Sequence, residues 1–218
     1  MISFKNVNKR YPDGFNALKN IVFAIEAGEM VLVTGHSGAG KSTLLRLIAA
    51  IERPTYGSVI VNGQDTRQLK KSAIPFLRRN IGLVFQDHKI LFDRNVFENV
   101  LLPLQIGGFD IKVAARRVRA ALDKVGLLKR EKAYPITLSG GERQRLCIAR
   151  AVVHRPSILI ADEPTGNLDV DYARDIMDMF KSFHQVGVTV LIATHDATLL
   201  EDKQQYRILA LAQGELAA

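Results

Sequence analysis

The chain has 218 residues, 47% hydrophobic and 24% charged, with one cysteine and a formal net charge of +8 at pH 7. That length supports a single domain with a sizeable core, and the lone Cys147 excludes an internal disulfide or a cysteine-rich metal site. No apolar run approaches the roughly 18 residues that span a bilayer, and the first five residues lack the apolar core of a secretory signal, so the reducing cytosol is the expected compartment.

The positive charge is spread over Lys70-Lys71, Arg78-Arg79, Arg116-Arg117-Arg119 and Lys129-Arg130. Without a basic tail or interleaved aromatics it supports specific nucleic-acid binding only weakly. It suits anionic lipid, a polyanionic nucleotide or a plainly solvated surface equally.

In chain order, the alternation from Ile2 to Val7 predicts a strand, Tyr11-Pro12-Asp13-Gly14 a turn, and Leu18 to Ile25 a second strand. Met30-Val31-Leu32-Val33-Thr34 is an apolar, β-branched run that reads as a buried strand, and Ser42 to Ile48 reads as a helix. Ser58 to Val61 is a short strand closed by the hairpin pair Asn62-Gly63. Pro75 to Arg79 is a short helical segment, and Ile81 to Phe85 is a strand ending at Gln86. From Asp87 to about Val153 the pattern is helical, and residues 95–102 carry apolar positions at Val96, Phe97 and Val100. A basic amphipathic helix follows, whose apolar face is Ile111, Ala114, Ala115, Val118, Ala121, Leu122 and Val125, capped by Gly126. Cys147 falls in an apolar helical stretch and reads as a small packing residue. Ser157 to Glu163 is a strand with an acidic tip, Pro164 to Asp169 a loop, and Asp171 to His184 a helix. Val188 to Ala193 is a strand that runs into Thr194-His195-Asp196, and Tyr206 to Leu211 is expected to form an edge strand.

Gly35-His36-Ser37-Gly38-Ala39-Gly40-Lys41-Ser42 fits the phosphate-loop spacing and lies between a predicted strand and a helix N-terminus. There, unpaired backbone N–H groups and the positive end of the helix dipole face an anion. The glycines let the backbone wrap phosphate oxygens. Lys41 has the reach for β- and γ-phosphates and Ser42 the hydroxyl for Mg²⁺. Two carboxylates at one strand tip are costly to bury unless paired or metal-bound. In the same sheet as a phosphate loop, Asp162 suits the Mg²⁺ shell and Glu163 suits polarising a water. Ser139-Gly140-Gly141 opens a helix and is either a second anion cradle or an ordinary capped start. Tyr11, upstream of the loop, reads by position as packing or as a shelf for a base. Gln86 and His195 stand at strand tips, where α/β sheets place ligand contacts.

Taken together in this order, these motifs resemble the ABC (ATP-binding cassette) ATPase family over essentially the whole chain. Leu138-Ser139-Gly140-Gly141 followed by Asp162-Glu163 on an apolar strand is the most specific part. Ile51-Glu52-Arg53-Pro54, Phe85-Gln86-Asp87-His88 and Asp93-Arg94 look like the cell-division branch of that family. The run from Ala161 to Asp169 is shared with branches for lipoprotein release and macrolide export. The resemblance implies an α/β phosphate-loop NTPase fold. Its RecA-like core would lie at about 1–86 and 154–218, with an antiparallel β subdomain and an inserted helical lobe at about 87–153. It implies an ATPase that works as a head-to-tail homodimer, each ATP held between one copy's loop and the other's Ser139, Gly140 and Gly141. Residue by residue, it implies that Tyr11 stacks on adenine and that Gly35, His36, Ser37, Gly38, Ala39, Gly40, Lys41, Ser42 and Thr43 bind the phosphates. Ser42, Gln86 and Asp162 would serve Mg²⁺, Glu163 would be the general base, His195 would contact the γ-phosphate, and Asp169 would couple the two sites. It also implies an integral membrane partner at the cytoplasmic face of the inner membrane, at the division site. That partner's helix is expected near Gln86 to Val100, where Ile90, Leu91, Phe92 and Phe97 either seat it or are ordinary packing residues of the helical lobe. Nucleic-acid-associated relatives carry two cassettes or a long coiled-coil insertion, and this chain has neither.

Overall fold

The computed structural model describes residues 1–166, 169–195 and 206–217. The chain runs through β1 (Ile2–Arg10), β2 (Asn16–Ile25), β3 (Met30–Thr34), α1 (Lys41–Ile48), β4 (Tyr56–Val61), β5 (Gln64–Asp65), α2 (Ile74–Arg78), β6 (Ile81–Val84), α3 (Val96–Ile106), α4 (Ile111–Lys124), α5 (Gly140–Val152), β7 (Ile158–Asp162), α6 (Val170–Gln185), β8 (Thr189–Thr194), β9 (Arg207–Ala212) and β10 (Glu215–Leu216). Asn167, Leu168 and Asp196, parts of two expected loops, lie outside the described residues.

The strands sort into two sheets by their burial pattern. β2-β1-β4-β5 is antiparallel, and Ile2, Phe4 and Val7 point inward along β1. Phe4 stacks on Phe23 across the β1–β2 pair at 4.5 Å between centroids. β10-β9-β3-β8-β7-β6 is parallel except for β10. Its central strands are continuous apolar runs because both faces are covered: β8 is buried along its whole length, and β7 along all but Asp162. One core joins Val31, Val33, Leu191 and Ala193 of this sheet to Leu44, Leu47 and Ile48 of α1 and to the antiparallel sheet. The other joins Leu32, Leu159 and Ile192 to α3, α4, α5 and α6.

The order β3-β8-β7-β6 has a functional consequence. Parallel strands end on the same edge of the sheet, where open α/β sheets place their ligands. The residues that follow Thr34, Thr194, Asp162 and Val84 therefore stand side by side, and these are the phosphate loop, His195, Glu163 and the Phe85-Gln86 pair.

Three expectations need correction. The strand expected at the edge near Tyr206 is β9, which pairs with β3 on one side and β10 on the other, so β10 closes that edge. Ile111 heads the expected apolar face of α4 yet is 82% exposed; the buried stripe is Ala114, Val118, Ala121 and Leu122, and it ends one turn short of the N-terminus. The helical run expected from Asp87 begins only at Val96. The nine residues before it form an irregular segment held by one buried amide. Asn99 on α3 accepts from the Leu91 N–H and donates to the carbonyls of Leu91, Arg94 and Asn95, at 2.9–3.0 Å.

Asn99→Ala strips the partners from those backbone groups, so we expect a loss of about 2–3 kcal/mol of unfolding free energy. Equilibrium urea denaturation, with the slope held as a check on two-state behaviour, measures it.

Candidate active site

Lys41 begins α1 and is 6% exposed. A buried ammonium must be satisfied by acceptors, and here it donates to the carbonyls of Gly35 (2.6 Å) and His36 (3.2 Å). It also lies 3.4 Å from Glu163 Oε1. The loop that supplies those carbonyls is tight: a Cβ on Gly35 would run into the carbonyl oxygen of Leu211 on β9, and one on Gly40 would come within 2.6 Å of the Ala17 carbonyl oxygen. Both glycines also have positive φ.

The N-terminus of α1 is left open. α3, α4, α5 and α6 start with side-chain caps from Asn95, Asp110, Ser139 and Asp169, whereas α1 starts at Gly40 with none. Its first N–H groups thus face a cavity of about 540 Å³ lined by the loop, Thr43, Phe15, Gln86, Glu163 and His195.

Glu163 is the centre of the polar network. It follows β7 with φ +50, a left-handed conformation costly for a residue with a Cβ, and its N–H still donates to the Ala193 carbonyl at 2.8 Å. This turn directs the carboxylate to two cations or potential cations: Oε1 to Lys41, and Oε2 to His195 Nδ1 at 2.8 Å. The His195 N–H also donates to Oε2 at 3.3 Å.

Asp162 faces a neighbouring cavity of about 550 Å³, also lined by Ser42 and Gln86. Those two residues line both cavities and so stand between them. Asp162 Oδ1 is buried without a hydrogen-bond partner. Burial pushes its carboxyl above the ordinary range, opposed by a hydrogen bond from Ser42, with the Glu163 carboxylate raising it further. A hydroxyl, an amide oxygen and an orphaned carboxylate are hard oxygen donors that fit a magnesium ion.

The expected site residues thus fall into two groups. The loop, Lys41, Ser42, Thr43, Gln86, Asp162, Glu163 and His195 converge. Ser139, Gly140, Gly141 and Asp169 do not line this cavity. Ser139 caps α5 in a reciprocal box with Glu142, and Asp169 caps α6 through the Tyr172 N–H. Tyr11 borders the first group: its hydroxyl shares a 3.2 Å hydrogen bond with Thr43, and the Lys9 ammonium covers its ring at 4.9 Å. The aromatic in the cavity wall itself is Phe15, 55% exposed, which the sequence reading passed over. Phe15 lies in the turn just before β2, whose Ala17 and Leu18 are buried.

Residues 18–166 match the family model described as ABC transporter. The chain is 54% identical to the cell division ATP-binding protein FtsE of Escherichia coli K12, over 99% of this chain and 97% of the relative. It is 44% identical to the protein of the same name from Bacillus subtilis, over 98% and 93%. Among solved structures it is similar to the ATP-binding cassette MJ0796, a dimer in a post-hydrolysis state bound to ADP and Pi. The TM-score is 0.92 at 35% identity, covering 100% of this chain and 97% of that one.

The raised Asp162 pKa has a signed consequence for stability. A carboxyl whose folded pKa lies above its unfolded one costs stability as pH rises between the two values, and the cost is constant above both. Asp162→Asn is therefore expected to melt about 2 °C above the parent at neutral pH without nucleotide, with the gain vanishing as pH falls toward the ordinary carboxylate value of 3.8. In Mg-ATP the order reverses, because the variant loses ligand stabilisation. Differential scanning fluorimetry across pH reads both.

Proposed function

This chain belongs to the ABC transporter family and hydrolyses ATP, and we propose that it is the ATPase subunit of a cell-division complex whose integral membrane partner is FtsX. The observation that carries the reading is a complete phosphoryl-transfer edge, from Gly35 to Glu163 to His195, in a chain matched end to end by cell division ATP-binding proteins.

A triphosphate entering the cavity meets the open N-terminus of α1 and the N–H groups of the loop. Lys41 turns its ammonium from the Gly35 and His36 carbonyls to the phosphates. That change also takes its charge from Glu163, so binding fuel frees the base. Glu163 then orients and deprotonates the attacking water, and His195, released from Oε2, donates to the γ-phosphate. Tyr11 and Phe15 offer aromatic faces to the adenine. Ser42, Gln86 and Asp162 would hold Mg²⁺, which would neutralise phosphate charge when bound.

A second copy, placed head to tail, brings Ser139, Gly140 and Gly141 to the open side of the cavity. Nothing lies within 4 Å of the outer face of Gly140, so a phosphate has room to approach the capped start of α5. Asp169 stands beside that junction. The helical lobe of about residues 87–153 moves with this closure against the core of 1–86 and 154–218.

Among the described residues no helix is long and apolar enough to cross a membrane, so attachment to the cytoplasmic face at the division site runs through the partner. The fold divides the four candidate receiving residues. Ile90 is buried and Phe97 is partly buried beneath Arg119, and Phe92 is the exposed one. A groove of about 550 Å³ between α2, α3 and α5 is lined by Leu83, Leu102, Pro103, Ile106 and Phe109 together with Arg78, Arg79, Arg150 and His154. A cytoplasmic helix of FtsX fits there.

Lys41→Ala is expected to weaken ATP binding by at least about tenfold, whereas Glu163→Gln keeps binding, blocks turnover and traps a dimer in Mg-ATP. Titration calorimetry and sedimentation of the two variants test this, and an active Glu163→Gln enzyme defeats the assignment of the base. Ile106→Glu is expected to abolish co-purification with FtsX from detergent-solubilised membranes and to leave ATP affinity alone. Recovery of a lipoprotein-releasing permease instead of FtsX would replace the cell-division reading.

A further inference from the structure

The segment between β5 and β6 gathers positive charge onto one surface. Residues 66–86 hold five basic residues and no acid, in a chain whose formal net charge is +8. Leu69, Ile74 and Leu77 pack on the core, whereas Arg67, Lys70, Lys71, Phe76, Arg78 and Arg79 stay exposed. α2 spans five residues, about 7.5 Å, so Lys70-Lys71 before its start lie close to Arg78-Arg79 at its end. The backbone that carries these charges is tied down. Arg53 donates to the carbonyls of Arg67 (3.1 Å) and Leu69 (2.6 Å), and Arg78 donates to those of Ala49 and Ala50, both at 3.0 Å.

The patch is not neutralised from within. Among the described residues no ion pair involves any of the five cations. The acids that flank the segment are engaged elsewhere. Asp65 accepts from the Ser58 hydroxyl at 3.0 Å and from the Arg67 N–H at 2.9 Å, and Asp87 pairs with Lys89 at 2.6 Å. Other basic stretches differ, since Arg119 pairs with Glu131 and Arg130 with Glu142. Like charges held this close favour an external polyanion. Among them stands Phe76, 61% exposed, with the Arg79 guanidinium over its ring at 4.8 Å. A ring flanked by cations suits a lipid headgroup layer, where the ring sits at the interface and the cations meet phosphates. A nucleic-acid strand calls for successive rings along a groove, and this segment offers one.

We propose that the α2 face binds the headgroups of anionic phospholipids, in addition to the attachment that FtsX provides. The orientation rests on the reading that a cytoplasmic helix of FtsX enters the groove between α2, α3 and α5. Pro75, Arg78 and Arg79 line that groove as well, so a membrane protein seated there turns α2 toward the bilayer. The lipid contact gives the subunit a second point of attachment.

The test is co-sedimentation of the full chain, without FtsX, with vesicles of phosphatidylcholine alone or with about a quarter phosphatidylglycerol. Binding is expected only to the anionic vesicles, and it weakens as salt shortens the Debye length. One basic residue at an anionic surface changes partitioning roughly fivefold. Lys70→Ala/Lys71→Ala is therefore expected to lower binding about 25-fold, with ATP affinity and Tm unchanged. Phe76→Ser is expected to weaken binding by a factor that salt does not alter. Equal binding to both vesicles, binding to neither, parental binding by the double variant, or a loss that tracks a lowered Tm overturns the proposal. So does tighter salt-sensitive binding to random-sequence duplex DNA than to the anionic vesicles, which assigns the face to nucleic acid. FtsX is absent from the assay, so failure here is distinct from failure of the groove reading, which Ile106→Glu tests.

Discussion

A lysine ammonium buried at the mouth of a helix is the constraint to which the rest of this molecule answers. With 6% of its surface exposed, Lys41 needs acceptors, and the chain supplies two carbonyls of its own loop and one carboxylate from the next strand but one. Each acceptor has a structural cost. The carbonyls require a loop so tight that Gly35 touches β9 and Gly40 touches the start of β2. The carboxylate requires Glu163 to hold a left-handed backbone. Strain and close approach are thus concentrated where a polyanion would relieve the cation of its internal partners.

The sheet order turns that local arrangement into a reaction site. β8 lies between β3 and β7, so His195 is delivered between the phosphate loop and Glu163. Register matters as much as order: Thr34 pairs with Thr194, and Asp162 with Ala193, so the three strands end level. A one-residue slip of β7 would exchange the roles of Asp162 and Glu163, because successive side chains point to opposite faces. As it stands, Asp162 opens on the cavity with Ser42 and Gln86, and Glu163 on the one with Lys41 and His195.

Much of this was legible in the sequence because it depends on local chemistry. The apolar runs of β3, β7 and β8 mark buried parallel strands, and their polar tips mark the functional edge. What escaped depends on packing between distant segments. The centrality of β9 follows from its pairing with β3, about 175 residues earlier, and nothing in Arg207–Ala212 distinguishes a covered strand from an edge. Ile111 follows the period of α4, yet the surface α4 packs on ends before it. Ile90 and Phe97 are apolar like any docking residue, and only the fold reveals that the core has taken them. The contact of Tyr172 with Gly141 joins two helix starts about 30 residues apart and leaves no trace in periodicity.

The cavity's one-sidedness is what the proposed second copy would answer. Its donors come from the loop, the α1 N-terminus and His195, all on the sheet edge. A γ-phosphate seated there would still present oxygens outward, and charge developing on them in the transition state would meet water. In the proposed head-to-tail dimer the start of α5 would be the complementary part: a capped helix end with an open glycine face, in the same chain but outside its own cavity. In that proposed arrangement, Ser139 of one copy set against a neighbour's phosphate would satisfy both surfaces at once, while α5 stays packed on β6.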